Sequence, residues 1–304
     1  TTGKFNNLFG GLAGDALTTG DSNTAIGYAA LTSDTKGERA VAIGEGSLHT
    51  QNFTTETSNY NTAVGYNAGY SVTTSTENVL IGGLAGDALT SGSYNVAVGH
   101  AALSTEDGHG AATAIGYLSL ATQNAGALSY NTAVGYTSGT SVTTGLYNTF
   151  VGGDAGKSFT DADFNTAVGT FALDKDELGC RSTALGYAAL STQDFTTATD
   201  VYNTAVGFHA GVAVTTGIRN TILGGNAGIA LTTGGENVVV GYEALKNEDD
   251  HGQNTAIGTQ ALFTQNAGAT AQNVAVGFQA GAAVTVGIYN TLIGSLAGDA
   301  LNDA

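Results

Sequence analysis

The 304-residue sequence predicts an all-β fold: a parallel β-solenoid (β-roll) of about seventeen 17-residue coils. Three observations predict it. A glycine-ended pentad recurs at near-constant spacing, as in YNTAVGY at residues 60–66 and again at 130–136. Each pentad alternates in the manner of a short strand. Forty-six glycines with no proline supply many tight turns in a chain that is not a disordered linker.

The glycines that close the pentads are Gly10, Gly27, Gly44, Gly65, Gly82, Gly99, Gly116, Gly135, Gly152, Gly169, Gly186, Gly207, Gly224, Gly241, Gly258, Gly277 and Gly294. Most gaps are 17 residues, and every fourth gap is 21 or 19, in alternation. The superperiod is therefore 142 residues, as from Gly10 to Gly152 or from Gly65 to Gly207.

The strand comes first. The residue before each anchor glycine is large and apolar (Ile26, Ile43, Val64, Ile81), and two positions earlier Thr or Val stands in sixteen of seventeen copies. This alternation predicts a strand about four residues long whose large β-branched residues face inward and whose middle Ala faces outward. A strand so short must stack on its neighbours. The corner before it is Asn in fourteen copies, including Asn61, Asn131 and Asn203. Asn tolerates the left-handed region, and amides stacked at one level can bond each other along the axis.

After the strand the anchor glycine turns the chain, and three residues later every copy has Ala or Ser. The fourth residue is either Leu (Leu31, Leu48, Leu103, Leu120) or Gly (Gly14, Gly69, Gly86, Gly139). Where it is Gly, a large apolar residue appears three places on: Leu17, Val72, Leu89, Val142. Each coil keeps one plug, which marks a core position. With ~4.8 Å per turn, the whole chain predicts one continuous domain over 1–304, a rod on the order of 80 Å long.

The charge is −17, from 8 basic and 25 acidic residues. Such a surface repels phosphate backbones and anionic lipid, so neither nucleic acid nor a membrane is an expected partner. No apolar run approaches the ~18–20 residues of a membrane span. Cys180 is the only cysteine, so no intrachain disulfide forms; it reads as a small apolar filler or, less commonly, a reactive thiol. The chain starts at Thr1 without Met and stops within a repeat, and is expected to be a segment of something longer.

The pentads NTAIG (23–27), AVAIG (40–44), NTAVG (61–65) and NVAVG (95–99) resemble the head repeats of trimeric autotransporter adhesins. They are equally similar to glycine-rich repeats of phage tail fibres, and the resemblance spans the chain. It implies a left-handed parallel β-roll, three copies of which pack as a homotrimer, outside the cell or on a virion. The expected role is then a structural fibre or adhesin shaft, most readily a tail-fibre segment presenting loops or a distal tip for host attachment, with a bacterial adhesin head as the alternative. A host receptor or glycan is the implied external partner. The family's repeats run near fourteen residues, shorter than the seventeen here.

If the middle strand position faces outward, its large members form an apolar ladder. Leu8, Leu80, Phe150, Ile222 and Leu292 are then the expected subunit contact. A local loop that covers them is the other reading. The inserts at residues 49–59, 121–129, 191–201 and 263–272 carry TQN or TQD triplets and are expected to protrude, with Gln51, Phe53, Gln123, Gln193, Phe195 and Gln265 as candidate binding residues. Spacer loops explain them equally. Acidic residues gather at one corner of the four-coil cycle: Asp34 and Glu38, then Glu106, Asp107 and His109, Asp174, Asp176 and Glu177, and Glu248, Asp249, Asp250 and His251. Of these, Glu106, Asp107, Glu248, Asp249 and Asp250 are candidate Ca²⁺ ligands, although the calcium-loop spacing is missing; a solvated acidic turn is the commoner meaning. Thr pairs such as Thr73–Thr74 and Thr215–Thr216 raise ice binding as a further alternative. No convergent acid, base and electrophile stands out, because polar residues are duplicated every 142 residues, so no enzyme and no cofactor are expected.

Overall fold

A computed structural model describes residues 2–302. The chain forms two compact units, Thr1–Asn148 and Thr149–Ala304, and each is a stack of coils. Among the described residues there is no helix, and hence none long and apolar enough to cross a membrane. The fold class is the parallel β-solenoid that the periodicity predicts.

Each coil contributes one three-residue strand ending next to its anchor glycine, eight strands in the first unit and nine in the second. Within each unit they pair in parallel and in register one lap apart. In the first unit Thr62, Ala63 and Val64 lie against Val79, Leu80 and Ile81, which lie against Val96, Ala97 and Val98. The inserts leave this register intact, because Val41 pairs with Thr62 and Thr113 with Thr132 across the longer laps. The longest inserts add small parallel ladders of their own, Gly37–Glu38 with Thr57–Ser58 and Gly179–Cys180 with Thr199–Asp200.

The corners are bonded as regularly as the strands. Gly82 donates its N–H to Val64 O at 2.8 Å, Leu84 to Tyr66 O at 2.9 Å, and Gly86 to Ala102 O at 2.9 Å, so one coil is tied to both neighbours. Tight corners require left-handed residues. The residue before the Asn takes that conformation, as at Tyr60 (φ 52°), and so do Ala29 (φ 55°) and Leu31 (φ 54°). Asn61 itself does not, so the expectation that Asn is the left-handed residue is off by one position. The anchors Gly27, Gly44, Gly65, Gly82, Gly99, Gly135 and Gly207 have φ between 127° and 147°, a region closed to L side chains. A Cβ on Gly65 would also run into the carbonyl of Gly82 on the next coil.

The strand faces are the reverse of the expectation. Ala25, Ala42, Ala63, Ala97, Ala114 and Ala133 are buried, while Thr62 and Val64 are only half-buried and Ile26 and Ile81 are exposed. Val64 and Ile81 are vertical neighbours, but on the outer surface. In a structure of period two, a shift of one residue moves the whole set to the other face. The physical reason is room. Leu31, Leu48, Leu103 and Leu120 enter the interior from the corner, and beneath them the strand can place only a methyl group.

The same reasoning relocates the proposed subunit contact. Leu80, Phe150 and Ile222 are fully buried core residues, whereas Leu8 (44% exposed) and Leu292 belong to the first and last strands and have a neighbouring strand on one side only. They occur where the corner Leu is replaced by Gly. A Cβ on Gly69 would meet Leu80 Cδ1 at 2.7 Å, and one on Gly86 would meet Leu80 Cδ2 at 2.8 Å. Leu17, Val72, Leu89 and Val142 are buried, as the plug argument predicts. In the second unit Phe150 stacks on Phe159 with centroids 5.4 Å apart.

Candidate functional site

The inserts are held from inside by one buried acid in each four-coil cycle. Asp34 accepts hydrogen bonds from Gly37 N (2.9 Å), Phe53 N (3.1 Å) and Gln51 Nε2 (2.7 Å). Gln51 then accepts from Asn61 Nδ2 at 2.9 Å, which joins the insert to the strand corner. Glu106 repeats the design with His109 N, Gln123 Nε2 and Ala125 N, each at 3.2 Å, and Gln123 accepts from Asn131 Nδ2 at 2.9 Å. Asp176 accepts from Gly179 N (3.0 Å), Phe195 N (3.1 Å) and Gln193 Nε2, and Gln193 accepts from Asn203 Nδ2 at 2.8 Å. Glu248 accepts from His251 N and Ala267 N, while Gln265 bridges Asn254 and Asn273. The shorter acid accompanies the 21-residue lap and the longer acid the 19-residue lap.

Gln51, Gln123, Gln193 and Gln265 are therefore fully buried, and Phe53 and Phe195 nearly so. They do not line an outward binding surface, because the amide of each Gln is consumed by the internal network. The insert tips reach solvent, at Thr54–Glu56 and Thr196–Ala198 for example, as do Asn52, Asp194 and Asp200. The TQN and TQD triplets are structural.

Burial raises the carboxyl pKa of Asp176 above its ordinary value; the bonds from Gln193, Phe195 and Gly179 oppose that shift and do not cancel it. Burial raises Glu248 in the same way. Cys180 is half-buried, its Sγ accepts from Asp163 N at 3.3 Å, and burial pushes its thiol up, away from the activated range. That environment suits the filler reading.

The candidate calcium ligands fall into two like groups. Ligand atoms of Glu106, Asp107 and His109 lie within 4.8 Å of one another, as do those of Glu248, Asp249 and His251. Asp250 stands apart and accepts from Thr232 Oγ1 at 2.6 Å. Three side-chain ligand atoms, one of them an imidazole nitrogen, do not fit the six to eight oxygens that Ca²⁺ takes. Both Glu106 and Glu248 are also committed to the backbone N–H groups of the inserts.

The surface feature that the sequence expectation placed inside is the outer strand face. Its two columns are Thr or Val, then Val, Ile or Leu, as in Thr132 and Val134 or Thr204 and Val206. Tyr residues flank it: Tyr60, Tyr94 and Tyr130 on one side, Tyr28, Tyr66 and Tyr136 on the other, all about half exposed. Rings on adjacent coils stack, Tyr130 on Tyr147 at 5.7 Å and Tyr117 on Tyr136 at 5.4 Å. All three arginines of the chain belong to the first of these rims; Arg39 lies over Tyr60 and Arg181 over Phe164 and Tyr202. The signal for this face was the trade between Leu80 in the strand and the glycines at Gly69 and Gly86. No family model, curated protein or solved structure matches this chain.

Proposed function

We propose that the chain is a structural shaft segment of a homotrimeric extracellular fibre, of the tail-fibre kind, with a bacterial adhesin as the other setting for the same physical role. The observation that carries the reading is the outer strand face. No charged residue occurs in either of its columns, in a chain of net charge −17. Ile26, Ile81, Ile115 and Val238 are each more than a third exposed there. Charge repulsion disfavours association through most of the surface, and this uncharged, β-branched strip is the part best suited to packing against further copies. Stacked coils that satisfy one another's backbone groups supply the stiffness a shaft needs.

Sedimentation equilibrium tests the reading. The expected mass is three times the 30.2 kDa of the chain, and Val134→Lys with Val206→Lys is expected to reduce it to one chain without loss of the β circular-dichroism signal. A single-chain mass at every concentration overturns it.

One observation favours ice binding as a second reading. Thr149, Thr166, Thr183, Thr204 and Thr221 follow one another in register on the outer face. The exposed rings beside this column stand against a flat ice-facing surface. Thermal hysteresis in the purified chain would favour that reading, and its absence would remove it.

A further inference from the structure

The residue after each anchor glycine forms an outer column, and consecutive rings in it stack. Tyr187 and Phe208 are 5.5 Å apart with planes at 13°. In the first unit two residues without a ring, Glu45 and Gly83, interrupt the column between Tyr28 and Tyr136, and Tyr28, Glu45 and Tyr66 occupy three successive coils. Tyr28 and Tyr66 thus stand two strand spacings apart, roughly 9–10 Å. A carboxylate takes the place of the middle ring.

Behind this gap residue 46 is glycine, which lets the Asn67 side chain pack against the backbone there. A Cβ there would reach the Asn67 amide oxygen and come within 3.4 Å of the Tyr70 ring. Tyr70 is backed by His49, stacked on it at 4.6 Å and 14°. The result is a cleft of about 290 Å³ bounded by these side chains.

The 142-residue duplication supplies an internal comparison. Buried residues of the same coils, Leu31, Leu48 and Asn61, recur unchanged as Leu173, Leu190 and Asn203. The cleft residues do not recur: Tyr28, Glu45, Gly46, His49 and Tyr70 become Thr170, Tyr187, Ala188, Ser191 and Val212. In the second unit the missing ring is therefore restored by Tyr187, and the position of Gly46 carries the methyl group of Ala188.

The chemistry selects a cation. Two ring faces, each with a negative quadrupole, flank a carboxylate that has no ion pair or side-chain hydrogen bond among the described residues. No Lys or Arg lines the cleft. A small, strongly hydrated cation would leave both rings untouched at this spacing. A methylated ammonium places its nitrogen within ~6 Å of both ring centroids. We propose that this cleft binds a quaternary ammonium group, with Tyr28 and Tyr66 as opposing faces and Glu45 as counter-ion. The site uses three coils of the first unit and does not rest on the fibre reading.

The test is titration of the full chain with choline chloride, followed by saturation transfer to its N-methyl protons, with 3,3-dimethylbutan-1-ol as the uncharged isostere. One choline per chain is expected, with the isostere about tenfold weaker. Glu45→Gln is expected to weaken choline several-fold, and Glu45→Tyr or Gly46→Ala to remove binding. Both last substitutions install side chains that the second unit already carries at Tyr187 and Ala188, so the coil is expected to fold, and circular dichroism checks it. Equal binding of the isostere, choline binding that survives Glu45→Tyr, or no saturation transfer to choline in the native chain would each overturn the proposal.

Discussion

Asn78 donates its backbone N–H to the side-chain oxygen of Asn61, one lap earlier, at 3.0 Å. Its own side-chain oxygen accepts from Asn95 N, one lap later, at 2.9 Å, and its Nδ2 donates to Gly92 O at 3.0 Å. Each Asn thus passes one hydrogen bond up the stack while closing its own corner. Asn78→Ala orphans a buried N–H and a buried carbonyl, and is expected to cost about 2–4 kcal/mol in urea unfolding. Glu77→Ala, at the exposed neighbour, is expected to stay within about 0.5 kcal/mol.

Phe150 separates an inward from an outward middle column by energy. Fully buried and stacked on Phe159, it is expected to lose about 3–5 kcal/mol on Phe150→Ala. A loss below about 0.5 kcal/mol, the level of an ordinary surface change, would return it to the outside.

Two glycines of opposite meaning make a paired test. Gly65 (φ 141°) faces the backbone of Gly82, and Gly65→Ala is expected to cost about 3 kcal/mol or more. Gly126 (φ 66°) has nothing within 4 Å, and Gly126→Ala is expected to cost only the left-handed penalty of about 1 kcal/mol. Denaturant midpoints of the two variants check the contrast.

Asp176 gives a pH signature. Its folded pKa is raised by burial, so the folded state holds a proton that the unfolded chain has already released. Its contribution is fully present below the ordinary carboxylate range and is lost as pH rises through the raised folded value. Asp176→Asn is expected to flatten that fall in denaturant midpoint, and profiles of the two proteins running in parallel would contradict it.

The lap length, the strand positions, the Asn corner and the exchange of Leu31-type for Leu17-type plugs were legible in the sequence, because each is a spacing and spacings survive folding. The inside and outside of the strand were not. Large β-branched residues flanking a small one ordinarily place the large ones in the core, and only knowledge of how far Leu31 and Leu48 reach across the interior reverses that inference. The trade of Leu80 against Gly69 and Gly86 was the available clue. The inserts misled for a related reason: Gln51 and Gln193 are polar, but Asp34 and Asp176, a lap away, consume their amides from within. The Tyr28–Glu45–Tyr66 interruption was written in the sequence too, and acquires meaning only once that column is known to be a stack of rings.

Thiol accessibility at two adjacent positions tests the inside–outside assignment most directly. In a Cys180→Ser background, Leu80→Cys and Ile81→Cys place one thiol at a fully buried position and one at a position 39% exposed. Maleimide is expected to label the Ile81→Cys variant rapidly and the Leu80→Cys variant only after denaturant is added. Labelling at position 80 as fast as at position 81 in the folded protein would contradict the arrangement of the coils described above.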